Sequence, residues 1–364
     1  MKIIVVSYYS ESEITPRAFR ATSITSGLRR LGHEVIVISP PKKNIRNNNA
    51  ISKSGFSVSK NWVMSLKFTI RLIVQYFLPG WKDLKAGPFF FRKLNGMHAD
   101  VVISIGLPFS VHLAVAVSRQ FLGLRAATFI ADYGDPYSSN PAANSCFYAA
   151  ALERWALKAF DYVLIPVEIM KVAFVNLVND EKSICVIPQG YKLDDVNKKV
   201  YKKNKQLAFA YAGVFYSKVR DPSKFFDYLC LLEIDFCFHI YTDLGNTETA
   251  SILKKYKPLL QEKLLIHQLV PRDECIFNLS GMDFLINFNN AGGVQVPSKI
   301  IDYTLSDRPY LSISPELSIF SEFDSFCGGN YSSFSKPDIS GFDQNVIAKK
   351  IVSLHSLSQS EILL

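Results

Sequence analysis

The stretch MKIIVVSYYSESEITPRAFRATSITSGLRRLGHEVIVIS (1–39) decides how the rest of the chain is read. Ile3 to Ser7 and Glu34 to Ser39 are short, β-branched apolar runs, and Arg17 to Leu31 between them has helical period. A strand apolar on both faces belongs in a parallel sheet, and each return to such a sheet needs a crossover that lays a helix over it. The segment therefore reads as a β-α-β unit that opens a doubly wound α/β domain.

The same alternation continues outward. Val101 to Ile105, Ala126 to Ala131, Tyr162 to Pro166 and Ser183 to Pro188 read as further strands, and Phe109 to Phe121 as a helix. A lysine-rich, apolar-poor stretch, KLDDVNKKVYKKNKQ (192–206), then interrupts the pattern and reads as a linker. The pattern restarts with strands at Leu207 to Ala212, Phe236 to Tyr241, Leu264 to His267, Phe284 to Asn287 and Tyr310 to Ile313. The expectation is two Rossmann-like domains, residues 1–195 and 206–340, facing each other across a cleft. In the tail (341–364), apolar residues at 346, 347, 351, 352 and 354 form one helical face that needs a surface to cover. That surface is expected on the first domain.

A length of 364 residues at 48% hydrophobic supports two cores. The six cysteines stand apart from one another and from the six histidines, which suggests neither a zinc site nor a disulfide framework. The N-terminal apolar run is shorter than a signal peptide's core, and no later run reaches about 18 apolar residues. A cytoplasmic protein, soluble or peripheral on the inner face of the membrane, is expected. The formal charge of +9 is concentrated in residues 42–93, where eleven Lys or Arg face the single acid Asp83, a local +10 that leaves −1 for the remainder. A diffuse nucleic-acid footprint does not follow from that distribution; one local anionic partner does.

Within the same region, WVMSLKFTIRLIVQYFLPGW (62–81) spaces Lys67, Arg71 and Gln75 four apart on an otherwise apolar helix flanked by Trp62 and Trp81. Two central charges argue against a membrane span. A helix lying in the membrane interface, within a membrane-facing segment 56–95, accounts for both the pattern and the charge. A buried crossover helix is the competing explanation of the apolar face.

In open α/β sheets ligands bind beyond the carboxyl ends of strands, where helix N-termini favour phosphate. One loop stands out, Gly292-Gly293-Val294-Gln295-Val296-Pro297-Ser298-Lys299-Ile300-Ile301-Asp302-Tyr303. A lysine beside exposed amides suits a diphosphate, and a carboxylate one turn on can accept the hydroxyls of a ribose. Spacing alone also allows a capped surface helix with a solvated ion pair.

PSKIIDY (297–303), followed by RPYL (308–311), resembles the donor-site helix of glycosyltransferase family 4, P-S-K-x-x-E-Y. Further segments resemble that family in the same order: the first strand and its loop through Pro16-Arg17-Ala18, Gly32-His33-Glu34-Val35, Asp132-Tyr133-Gly134-Asp135-Pro136, Leu152-Glu153-Arg154-Trp155, Ile187-Pro188-Gln189-Gly190 and Tyr211-Ala212-Gly213. The resemblance implies the GT-B architecture and a retaining, metal-independent glycosyltransferase. Its donor would be a UDP-, GDP- or dTDP-sugar, and its acceptor a polyprenyl-diphosphate-linked bacterial glycan. It places Arg220 and Lys299 at the donor diphosphate, with Lys218, Gly213, Gln295 and the Ser298 amide beside them and Asp302 at the ribose. On the first domain it places Asp132 among the catalytic groups, with Arg17 and Asp135 on the acceptor side. Many relatives carry two glutamates eight positions apart, where this chain has Val294 and Asp302. His33 and His112 have no partner in sequence that would make either a general base, and both read as structural. Sugar-nucleotide 2-epimerases share the architecture, and a non-catalytic scaffold on the membrane is the alternative from outside enzymology.

Overall fold

The computed structural model describes residues 1–11, 13, 15–41, 86–139, 146–290, 298–316 and 320–362. The interfacial segment with Trp62, Lys67, Arg71 and Trp81, and the loop residue Gln295, lie outside the described residues. The chain divides into two compact units, Met1–Lys192 with Gly341–Leu364, and Leu193–Ser340.

In the first unit the strands are β1 (Lys2–Ser7), β2 (Glu34–Ile38), β3 (His98–Ile105), β4 (Arg125–Asp132), β5 (Tyr162–Ile165) and β6 (Ile184–Val186). They form one parallel sheet in the order β2-β1-β3-β4-β5-β6. Helices α1 (Pro16–Arg30), α2 (Gly87–Leu94), α3 (Ser110–Phe121), α4 (Ala149–Leu157) and the short α5 (Lys171–Phe174) connect them. Helix α1 starts where the Thr15 hydroxyl accepts the Ala18 amide at 3.1 Å and proline follows at once, a cap that satisfies one orphan donor and a residue already set for helical φ. Strand β6 ends before the expected Pro188, because Ile187 still donates to Ile165 O but proline has no N–H to continue the ladder.

Two apolar layers cover this sheet. One joins Ile3, Val5, Ile103 and Ile130 to α1 residues Ala21, Ile24 and Leu28 and to Ile347, Ala348, Ile351 and Leu354 of the final helix. The other joins Ile4, Val6, Val102 and Phe129 to Phe90, Val111 and Val115. The final helix, numbered α11 below, spans Gln344–Ile362 and belongs to this unit. Its close approach to α1 depends on Gly27, where an added Cβ would lie 2.4 Å from Gln344 O.

The second unit has β7 (Leu207–Ala212), β8 (Phe236–Thr242), β9 (Leu264–Gln268), β10 (Phe284–Phe288) and β11 (Tyr310–Ile313). All pair in parallel, in the order β11-β10-β7-β8-β9. Its helices are α6 (Ser223–Leu231), α7 (Thr247–Leu260), α8 (Arg272–Leu279), α9 (Ser298–Leu305) and α10 (Ser321–Cys327), followed in the first unit by α11. One face is built from aromatic rings, with Phe209 stacked on Phe284 at 5.1 Å between centroids and Phe323 set edge-on. The stretch 192–206, expected as a linker, is largely pinned to this unit. Lys199 N donates to Ser280 Oγ at 2.8 Å, the Tyr201 hydroxyl donates to Asp283 at 2.7 Å, and the Arg308 guanidinium lies 3.4 Å above the Tyr201 ring. Its poor apolar content hid these polar anchors.

Among the described residues no helix is long and apolar enough to cross a membrane.

Candidate functional site

In the second unit the strand order reverses direction at β7, which lies between β8 and β10. Connections leave such a point to opposite sides and open a crevice beyond the strand ends. The loops after β7 and β10 and the start of α9 supply the residues there.

Tyr211 sits on β7 with its ring buried. Its hydroxyl donates to Val214 O at 2.9 Å and accepts from Lys299 Nζ at 2.8 Å, while Arg220 Nη1 stands 3.5 Å away. Lys299 reaches it from the first turn of α9, its ammonium 4.4 Å from the centre of the Tyr211 ring. Gly213 makes room: an added Cβ would lie 1.8 Å from Lys299 Nζ, and its φ of 146° disfavours any side chain. Arg220 is oriented by Asn290, just after β10, whose Oδ1 accepts from Nε at 3.1 Å and Nη2 at 2.6 Å.

The electrostatics follow from this packing. Burial first, and the Arg220 charge second, pull the Lys299 ammonium well below its usual pKa. Burial pushes the Tyr211 phenol up to about 12, against the opposing pull of Arg220, so it stays a neutral hydroxyl. Neither cation forms an ion pair among the described residues. Two cations meeting on a neutral phenol are arranged for an anion with at least two charges.

Asp302, one turn on in α9, does not pair with Lys299 as helical spacing permits. Its carboxylate instead meets Arg272 at the start of α8, with Nε donating to Oδ1 at 2.7 Å and Nη2 2.6 Å from the same oxygen. Burial raises the Asp302 pKa, and Arg272 opposes that rise. Ser298 begins α9 at the same end, while Lys218 is exposed in the turn that pairs Tyr216 with Arg220. No hydrogen bond joins Lys218 to Tyr211 or Lys299 among the described residues, so Arg220 is the loop cation that enters the cluster.

In the first unit Asp132, expected among the catalytic groups, stands at the end of β4 in a buried ion pair. Its side chain is 1% exposed and is gripped by Arg20, with Nε 3.0 Å from Oδ2 and Nη2 2.6 Å from Oδ1. Arg20 also donates to the carbonyls of Ile187 and Pro188. This buried pair joins α1, the end of β4 and the segment after β6. The acceptor-side candidates Arg17 and Asp135 pair with each other, and the Arg17 guanidinium lies so close over Gly134 that a Cβ there would overlap it. His112 is fully buried, bonded to Ser104 and stacked on Tyr133 at 4.2 Å. Burial, with Arg17 nearby, drops its pKa to about 3, which fits a structural role. Buried Glu153 accepts the amides of Tyr137 and Ser138 at 3.1 and 2.9 Å and fixes the loop that carries Asp135.

Tyr211, Asn290 and Arg272 are the site residues that sequence reasoning did not assign. Tyr211 lay within a recognised segment but read only as a core position of a strand, and the other two carry no periodic signal.

A cation pair at the switch point of a parallel α/β sheet, with a carboxylate one turn on from Lys299 in α9, is arranged to receive a phosphorylated ligand. Residues 18–190 match the family model described as the glycosyl transferase 4-like domain, so that part of the chain carries a domain of this family. A comparison with the sequences of curated proteins gives no match. Among solved structures, a glycosyltransferase from Rickettsia africae superposes with a TM-score of 0.60 at 14% identity, over 98% of each chain. HepE from Anabaena, solved with UDP-glucose, gives 0.55 at 10% identity over 100% of this chain and 99% of that one. The lipopolysaccharide outer core galactosyltransferase WaaB gives 0.52 at 13% identity over 100% and 99%. These likenesses establish the GT-B fold.

Proposed function

We propose that this protein transfers a hexose-type sugar from a nucleoside-diphosphate donor to a polyprenyl-diphosphate-linked glycan, with retention of anomeric configuration and without a metal ion. The observation that carries the donor half is the Arg220 and Lys299 pair on the Tyr211 hydroxyl, uncompensated among the described residues. As the glycosidic bond breaks, negative charge grows on the departing diphosphate, and fixed cations in a poorly solvated site stabilise it without reorganising. Two side-chain cations and the amides at the start of α9 supply what a divalent ion would supply elsewhere. Asp302 accepts ribose hydroxyls on the same helix.

The acceptor half rests on sequence. The +10 segment and the tryptophan-flanked apolar stretch suit a peripheral position on an anionic, cytoplasmic membrane face, where a lipid-linked acceptor presents its own diphosphate. Trp62→Ser with Lys67→Glu and Arg71→Glu should release the protein from anionic vesicles while it stays folded. Unchanged co-sedimentation would count against an interfacial helix.

The deciding experiment is a thermal-shift screen of UDP-, GDP- and dTDP-sugars in the presence of a chelator. A donor at about a hundred times its dissociation constant stabilises by about 2.7 kcal/mol. Turnover of the responding donor, with the product anomer read by NMR, tests retention. An absolute requirement for manganese would contradict metal independence, and no response to any nucleotide would favour a non-catalytic scaffold.

A further inference from the structure

Asp302 is usable as a hydroxyl acceptor only if it is ionised and correctly aimed, and neither condition is secured by α9 itself. The residue stands on the second turn of an eight-residue helix whose nearest cation in sequence, Lys299, is committed to Tyr211. Arg272 comes from the first position of a different helix, α8, and both of its contacts with Asp302 fall on one oxygen, Oδ1. Among the described residues no hydrogen bond reaches Oδ2. A carboxylate clamped through one oxygen has a fixed plane and presents the other oxygen in one direction, which is what recognition of a particular sugar hydroxyl requires.

We propose that Arg272 is the positioning residue that sets the orientation of the Asp302 carboxylate, and through it the enzyme's discrimination between ribose and deoxyribose in the donor nucleotide. The inference rests on the assignment of Asp302 to the ribose made above. The groups facing Asp302 are Arg272 and Asp273 at the start of α8, Cys275 one turn on, and Tyr303 beside it in sequence. Arg272 is the one cation in that set. Without it, burial and Asp273 act unopposed, and the carboxyl takes up a proton at higher pH. A protonated acid keeps its shape but loses one acceptor, so recognition weakens before the fold does. Arg272 and Asp302 are each about 30% exposed (30% and 28%), so water reaches the pair and a ligand hydroxyl can replace it.

The test is calorimetric binding of UDP and GDP, with the 2′-deoxy and 3′-deoxy analogues of whichever binds tighter, to wild type, Arg272→Ala, Arg272→Lys and Asp302→Asn. Wild type should prefer the ribonucleotide over at least one deoxy analogue by tenfold or more, and Asp302→Asn should lose that preference. Arg272→Ala should cut it below about threefold, and should move the acid limb of ribonucleotide binding to higher pH. Arg272→Lys should restore part of the discrimination, which a purely architectural loss would not allow. Affinity for inorganic diphosphate, held by Arg220 and Lys299, should change less than twofold in every variant. If Arg272→Ala keeps the wild-type preference while Asp302→Asn has lost it, Arg272 does not position the carboxylate and the inference fails alone. If wild type shows no preference, or binds neither nucleotide, the ribose assignment itself fails and the inference falls with it. Should Arg272→Ala not fold, Arg272→Lys with unchanged discrimination and an unchanged pH profile overturns the proposal, because a lysine cannot reproduce the forked contact.

Discussion

Each unit gathers charge at the carboxyl end of a parallel sheet, yet the two clusters are built to opposite rules. In the first unit Arg20 spends its donors on the Asp132 carboxylate and on two carbonyls, with both side chains nearly excluded from water at 6% and 1% exposure. In the second unit, among the described residues, Arg220 and Lys299 lean on neutral groups only: a phenol, an amide oxygen and a carbonyl. The first cluster is neutral and closed, and it ties three chain segments together. The second stores two like charges next to each other, a state that costs stability and is relieved by an arriving anion. Arg20, which is buried, is neutralised by its carboxylate partner, whereas the half-buried Arg220 has no partner among the described residues that could neutralise it.

The largest test of that contrast is Asp132→Ala. It would leave Arg20 buried without a counter-charge and should lower the stability of the first unit by about 3–5 kcal/mol, measured as that unit's transition in urea. Replacing both partners by apolar residues, Arg20→Met with Asp132→Leu, should recover most of the loss. If Asp132→Ala instead folds with native stability but loses turnover, Asp132 is a substrate contact and the contrast is broken.

Next in size is Lys299→Ala, which should lower turnover by roughly a hundredfold while changing the stability of the second unit by less than about 1 kcal/mol. Asp302→Ala should mainly raise the Michaelis constant for the donor, since ribose hydroxyls are held alike in ground and transition states. Full turnover in Lys299→Ala would remove α9 from the diphosphate site.

A smaller effect follows from the depressed pKa of Lys299. Bound diphosphate favours the ammonium, so its pKa rises on binding. Between the depressed value and the ordinary value of about 10.4, nucleotide binding should take up as much as one proton, and affinity should fall as pH rises. Calorimetry in buffers of different ionisation enthalpy reads this directly, and binding without proton uptake at any pH in that interval would show that the Lys299 pKa is not depressed.

The smallest effect belongs to Arg17 and Asp135. Half of the Asp135 side chain is exposed (49%), and an exposed pair is worth about 0–1 kcal/mol, so Asp135→Asn should leave urea stability within that range. A larger loss would place this pair with the closed cluster.

The sequence by itself determined the eleven strands found among the described residues, the two-unit α/β architecture and the site helix. Each rests on a local pattern: apolar runs buried on both faces, helical period in the crossovers, and a glycine-rich loop before Pro297, Ser298 and Lys299. It read Lys299 and Asp302 as neighbours because spacing of three residues places them on one side of a helix. Only tertiary structure decided that they face different partners, Tyr211 from β7 and Arg272 from α8, which are 88 and 30 residues away in the chain. The same holds for Asp132, which looked available in a loop next to Pro136 and is in fact sealed by Arg20, 112 residues earlier. Backbone pattern is written in nearest neighbours, because propensity and burial act along a few turns. The ionisation and availability of a charged side chain depend on which distant strand ends the sheet order brings beside it.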